Sequence, residues 1–256
     1  MIRFTILGCG SSLGVPRIDG NFGNCNPHNI KNFRTRCSAL LNFEQKNILI
    51  DTSPDMRAQL LKNKISNIDT VLYSHLHADQ THGINDLRVF FLKNKSKIPV
   101  YADLITRKYL LENFTYCFKK KSYYPPILDL KKIKSNLKFI SNNKTLFVRT
   151  VSVKHGAINS IAYIFNKKCA YVSDVNFIYN KDMKYFKNLK YLILDCLRYE
   201  PHSSHFNLNQ CLELIKILKP KKTILTNLSS EIDYSLLKKK LPKNIVPAFD
   251  GMSVTL

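Results

Sequence analysis

The sequence lacks long apolar runs. None reaches the roughly 18 residues that a membrane-spanning helix needs. The N-terminal residues have no charged region, extended apolar stretch or cleavage site of the kind found in a signal peptide, and they predict a first β-strand instead. Internal repeats, low-complexity segments and Gly/Ser-rich linkers are also missing, so we expect one domain over residues 1–256, with no membrane association.

Paired cysteines are lacking as well. The seven cysteines are odd in number, widely scattered and never spaced as CxxC. This pattern argues against a disulfide framework and favours a reducing compartment, so a cytoplasmic location is expected.

Acidic residues are scarce. The chain has 18 Asp and Glu against 40 Lys and Arg, which gives a net charge of +22. Such an excess suggests a nucleic-acid partner. However, lysine is spread along the whole chain together with abundant Asn and Ile, as an A/T-rich coding genome would produce without any functional cause. Nucleic-acid binding therefore stays open but is not favoured.

The apolar pattern predicts many short strands and a few helices. An order that opens with strands and then alternates strands with helices fits an α/β (α+β) fold of two sheets packed face to face with helices outside. Residues 119–138, which are basic and aromatic, are interpreted as an insertion or a loop near the site. Helices are predicted at 54–62, 208–218 and 234–240, and strands at 2–7, 38–43, 48–51, 70–74, 99–101, 147–153, 161–165, 170–173, 191–195, 223–226 and 252–256.

The most informative segment is Tyr-Ser-His-Leu-His-Ala-Asp-Gln-Thr-His-Gly, residues 73–83. His75 and His77 are two positions apart on extended chain, so both imidazoles face the same side and can reach one ion. Asp79 continues that edge as an oxygen ligand. Three histidines and an aspartate within eight positions at the end of an apolar strand indicate a metal site.

Two later residues also stand at strand ends. His155 follows the strand at 147–153, and Asp174 follows the strand at 170–173. Each signal is weak alone, because an aspartate after a strand is usually a cap.

Taken in order, these motifs resemble the ligand motifs of the metallo-β-lactamase superfamily, and more closely those of the phosphoribosyl 1,2-cyclic phosphate phosphodiesterases. The resemblance implies an αββα sandwich of two mixed sheets with outer helices. It also implies that His75, His77 and His155 hold one divalent ion, zinc or manganese, with Asp174 bridging to a second ion and Asp79 binding that second ion. The shared stretches run nearly end to end: residues 7–12, 36–38, 50–55, 81–88, 195–199 and 249–251.

The chain departs from this family pattern at two positions. Most dinuclear members carry histidine where this sequence has Gln80 and Asn227. Both amides bind divalent metals weakly compared with imidazole. His82 is a further candidate ligand. We therefore expect one tight ion and a weaker second ion recruited together with substrate phosphate.

The segment 198–207 precedes the predicted helix at 208–218, where free N–H groups favour an anion. The resemblance favours His205 over His202 as the residue that contacts a phosphate or protonates the leaving oxygen. His205 and Asp79 are the predicted catalytic residues. Asp51 is expected to orient a ligand histidine or a turn.

The leading hypothesis is a metal-dependent phosphodiesterase that hydrolyses a small cyclic phosphate, such as phosphoribosyl 1,2-cyclic phosphate. One alternative is a tRNase Z-like ribonuclease, and another is a metal-binding protein whose second metal site has decayed. A homodimer is left open.

Overall fold

The computed structural model describes residues 2–120 and 124–256, and its strands form two seven-stranded sheets. The strands are β1 (Ile2–Gly8), β2 (Ser38–Phe43), β3 (Lys46–Ile50), β4 (Thr70–Leu72), β5 (Ile98–Ala102), β6 (Leu128–Lys132), β7 (Asn136–Ser141), β8 (Lys144–His155), β9 (Ile158–Phe165), β10 (Cys169–Val172), β11 (Tyr191–Asp195), β12 (Lys222–Thr226), β13 (Ile245–Pro247) and β14 (Ser253–Thr255). The helices are α1 (Met56–Lys62), α2 (Ala78–Thr81), α3 (Arg88–Asn94), α4 (Leu104–Asn113), α5 (Thr115–Phe118), α6 (Leu208–Leu218) and α7 (Tyr234–Lys240).

Each of the two sheets has an antiparallel half and a parallel half. The first runs β14-β1-β2-β3-β4-β5-β6, antiparallel from β14 to β3 and parallel from β3 to β6. The second runs β13-β12-β11-β10-β9-β8-β7, parallel from β13 to β10 and antiparallel from there to β7. Both sheets are therefore mixed, as expected.

The main core lies between the sheets. Phe4 of the first sheet contacts Phe165 and Tyr171 of the second at ring-centroid distances of 5.8 and 5.5 Å. The outer faces are covered by helices, with α1 and α3 over the first sheet and α6 over the second. This arrangement confirms the predicted αββα sandwich, because each sheet buries one face against the other and one face beneath helices.

All eleven predicted strands are present, but β6, β7 and β13 were missed. Residues 121–123 of the expected loop at 119–138 lie outside the described residues. The rest of that segment contains β6 and the start of β7, so the expectation of a loop is wrong there, and the alternative of an insertion stays a prediction. In β7, Leu137 and Phe139 are buried while Lys138 is exposed. The lysines in this segment made the alternation of buried and exposed positions hard to see in the sequence.

The three predicted helices are confirmed, and α6 has the predicted bounds. α2 to α5 were not predicted. α4 shows why: only Thr106 and Leu110 are buried, while Leu104 and Ile105 are exposed, so its apolar residues form no clear stripe.

All seven cysteines are buried and unpaired. Within residues 2–120 and 124–256, no helix combines the length and apolar character required to cross a bilayer.

Candidate metal centre

The candidate site lies at one end of the sandwich, where strands of both sheets finish. β8 ends at His155, and Asp174 comes shortly after β10. β11 ends at Asp195, and Asn227 follows β12 directly. Because β10, β11 and β12 are parallel, their carboxyl ends meet at the same edge. This geometry brings together side chains that are far apart in the sequence.

Three predicted ligands, His75, His77 and His155, converge there. His77 Nδ1 lies 3.0 Å from His75 Nε2 and 3.3 Å from His155 Nε2. His155 Nδ1 donates to the Ser204 carbonyl oxygen at 2.8 Å, because a carbonyl can only accept. His75 Nδ1 is 3.0 Å from the Ser74 hydroxyl. These outer contacts leave the inner nitrogens free to face one point.

Burial keeps these imidazoles neutral. It lowers the pKa of His75 to about 3, and it also lowers the pKa of His77 and of His155. Neutral imidazole is the form that binds divalent metal ions. Three inward nitrogens therefore fit a divalent cation such as zinc.

The two predicted carboxylate ligands occupy different positions. Asp174 Oδ1 lies 4.0 Å from His155 Nε2, so Asp174 borders the three-histidine group. Asp79 lines the same pocket, and burial followed by the charge of Asp174 raises its pKa to about 6. Asp79 is absent from both groups of close potential ligand atoms found in the described chain, which are His75–His77–His155 and His155–Asp174–His205.

His205, the predicted catalytic histidine, faces this centre. Its ring centroid is 4.7 Å from that of His155. Its Nδ1 donates to Asp195 Oδ2 at 2.7 Å. Burial opposes protonation of His205, but Asp195 outweighs it and the pKa rises to about 9. Sequence reasoning missed Asp195, although it stands at the end of an apolar strand, the same signal that marked Asp174.

Neighbouring groups hold the ligand-bearing segments in place. Asp51 accepts the Ser74 backbone N–H at 2.7 Å, so it positions the residue just before His75, as expected. His82, in contrast, is exposed and its Nε2 lies 3.0 Å from the Tyr109 hydroxyl. The structure does not bring His82 to the centre.

A pocket of about 350 Å³ opens above these residues. Arg198 and His202 contribute polar side chains to its wall. Arg198 donates to the carbonyl oxygen of Pro201 at 2.7 Å and lies 3.9 Å from a Glu231 carboxylate oxygen. The residues that line the pocket are Ser11, Ser12, Leu13, His77, Asp79, His155, Asp174, Leu197, Arg198, His202, Ser204, His205, Asn227, Ser229 and Glu231.

Comparisons with known proteins agree with this fold. The family model of the β-lactamase superfamily domain matches residues 46–226. A diphosphatase of the PhnP family is 30% identical, with a TM-score of 0.89, covering 99% of this chain and 96% of the other. A curated relative, an octanoyltransferase of Porphyromonas gingivalis, is 29% identical over 259 residues. That match covers all of this chain but 52% of the relative, so the chain spans about half its length.

More distant solved structures share the fold. Zinc-bound PqqB from Methylobacterium extorquens is 16% identical with a TM-score of 0.78, covering 99% of this chain and 100% of the other. The short form of human tRNase Z is 15% identical with a TM-score of 0.70, covering 99% of this chain and 98% of the other. The chain belongs to the β-lactamase superfamily and, within it, to the PhnP family, and it has the metallo-β-lactamase fold.

Proposed function

We propose that the protein is a metal-dependent phosphodiesterase that hydrolyses a small cyclic phosphate, such as phosphoribosyl 1,2-cyclic phosphate. The observation that carries this proposal is the convergence of His75, His77 and His155 beside a pocket whose wall presents His77, His155 and His205. The likeness to a diphosphatase of the PhnP family supports hydrolysis at phosphorus.

In this proposal His75, His77 and His155 hold a divalent ion, Zn²⁺ or Mn²⁺, and Asp174 borders it. Such an ion lowers the pKa of a bound water from about 15.7 to near 7 and polarises a phosphoryl oxygen. Protonated His205, oriented by Asp195, donates a proton to the leaving oxygen.

Asp79 and Arg198 complete the assignment. Asp79, on the pocket wall, accepts a hydrogen bond from the attacking water. Arg198 and His202 on the wall meet the substrate phosphate. A volume of about 350 Å³ suits a sugar phosphate, since pockets for small ligands begin at roughly 300 Å³.

Hydrolysis assays test this function. Purified protein loaded with Zn²⁺ or Mn²⁺ is given cyclic ribose phosphates and bis-p-nitrophenyl phosphate. The wild-type protein should hydrolyse at least one of them. His75→Ala should abolish activity, and His205→Ala should lower turnover by about 10²- to 10⁴-fold, the usual contribution of a general acid. A loaded wild-type protein that is inert on every phosphodiester rules the proposal out.

A tRNase Z-like ribonuclease is a second candidate, favoured by the net charge of +22. Binding to tRNA that weakens steeply between 50 and 200 mM salt, as counterion release demands, together with 3′-end cleavage, would favour this candidate. Binding to tRNA that does not change with ionic strength would count against this candidate.

A metal-binding protein with lost catalysis is the third candidate, suggested by Gln80 and Asn227. Bound metal without hydrolysis of any phosphodiester would support it. We further propose a cytoplasmic location, supported by seven unpaired cysteines, and a homodimer, which size-exclusion chromatography with light scattering tests directly.

A further inference from the structure

Two buried carboxamides stand beside the carboxylates of the candidate metal centre. Gln80 is fully buried, and its amide nitrogen donates to Asp79 Oδ2 at 3.0 Å. The same nitrogen lies 3.4 Å from Asp174 Oδ2. One NH₂ group thus faces both carboxylates.

Asn227 lies on the other side of Asp174, and its amide nitrogen is close to three acceptor oxygens. Its amide nitrogen donates to the Ser173 carbonyl oxygen at 3.0 Å and to Asp195 Oδ1 at 3.1 Å, and it lies 3.4 Å from Asp174 Oδ1. Every one of these oxygens is an acceptor, so the NH₂ end of the amide must point inward. Asn227 has a φ of +60°, a left-handed conformation that asparagine adopts more readily than most residues.

With the amides in this orientation, their N–H groups compete with a cation for the same carboxylate oxygens. An ion bound by Asp79 and Asp174 would lie about 2.0 to 2.2 Å from their oxygens, in the space toward which the N–H groups point. A carboxamide NH₂ group offers hydrogens and no ligand lone pair. Its hydrogen bonds to a carboxylate are charge-assisted and offset part of the negative charge that a cation would otherwise balance.

The remaining group of close ligand atoms in the described chain, His155, Asp174 and His205, shares His155 with the three-histidine group, and the inner Nε2 of His155 can bind only one ion. The Nδ1 of His205 already donates to Asp195 at 2.7 Å, so that nitrogen has no lone pair to give.

We propose that the carboxamides of Gln80 and Asn227 take the place of a second cation, so that the centre holds a single divalent ion in the three-histidine group. This inference rests on the proposed function only in assuming that His75, His77 and His155 bind an ion. A second ion would require Gln80 to reverse its amide and turn Oε1, which has no partner among the described residues, toward Asp79 and Asp174.

Counting ions per chain tests the inference without measuring activity. Native mass spectrometry and elemental analysis are applied after dialysis against Zn²⁺ or Mn²⁺. We expect one ion for the wild-type protein and two for Gln80→Glu, which has the same shape but turns the donor into a third carboxylate. Gln210→Glu is the matched control, because Gln210 is exposed, glutamate preserves its capping role on α6, and the count should stay at one.

The double variant Gln80→His with Asn227→His supplies imidazole ligands and should also bind two ions. If one of these variants fails to fold, the other still tests the inference. Circular dichroism shows whether each variant is folded. A wild-type protein with two ions that falls to one on Asp79→Asn overturns the inference, and so do folded variants that still bind one. A second wild-type ion that survives Asp79→Asn but is lost when Asp174→Asn is added also overturns the inference, whereas an ion that survives the double variant binds outside these carboxylates and leaves the count in the centre at one. No ion in the wild-type protein would instead refute the proposed function.

Discussion

Gly83 should tolerate no side chain, because it lies against the loop that precedes α1. A Cβ atom there would be 2.1 Å from the Ser53 carbonyl oxygen and 3.0 Å from the Thr52 carbonyl oxygen. Both neighbours are backbone, so relief requires a backbone shift of more than about 1 Å to approach ordinary contact near 3.5 Å. The φ of Gly83 is −83°, which any residue can adopt, so the penalty is steric.

The cost of Gly83→Ala follows from two contributions. Overpacking costs about 1 to 3 kcal/mol. The Gly83 N–H···O bond to Thr52, now 2.9 Å long, would be strained at a cost of about 1 kcal/mol. A loss of about 2 to 4 kcal/mol in a protein of this size lowers Tm by roughly 4 to 16 °C.

Thermal unfolding followed by circular dichroism measures this shift. The same loop also receives α2, since the Thr52 N–H donates to the Gln80 carbonyl oxygen at 2.8 Å. Gly83→Ala should therefore weaken metal binding as well. Gly20→Ala is the matched comparison: nothing lies within 4 Å of its Cβ, but its φ of +80° costs about 1 kcal/mol. A Gly83→Ala protein that melts within 2 °C of wild type would refute the steric argument.

Three further outcomes are expected. Removing metal with EDTA should lower Tm by roughly 8 to 16 °C if the ion was present at about 1,000 times its Kd, and the His75→Ala protein should show no response. Burial opposes ionisation of Asp55, but hydrogen bonds from Arg36 at 2.7 to 2.9 Å outweigh it and lower the pKa of Asp55. Its stabilisation is therefore present above about pH 4 and lost as pH falls through the lowered pKa, so urea midpoints of wild type and Asp55→Asn should converge in acid; a constant gap would contradict this. Asn207→Ala removes the capping box of α6 and should cost about 1 kcal/mol, lowering Tm by roughly 2 to 4 °C; an unchanged Tm would show that the cap is not needed.

Local signals in the sequence predicted the parts of the site that depend on near neighbours. Asn207 and the apolar stripe that follows it set the start and the buried face of α6 within a few residues. The spacing of His75 and His77 likewise marks a shared side of extended chain, and their inner nitrogens meet in the structure.

Other features leave no local trace. The pairing of Asp195 with His205 depends on the path of the loop between β11 and α6, and nothing in the intervening residues predicts that contact. β6 and β7 were missed because edge strands bury few residues and their lysines conceal the alternation.

The sequence by itself determined the fold class, most of the strands and the identity of the candidate ligands, since hydrophobic period, caps and motif spacing are set by neighbouring residues. Only the tertiary structure decided which nitrogens face each other, which carboxylate holds His205, and that the amides of Gln80 and Asn227 turn their NH₂ groups inward. The reason is that these contacts join strand ends from two sheets, and their geometry follows from strand order and packing between the sheets.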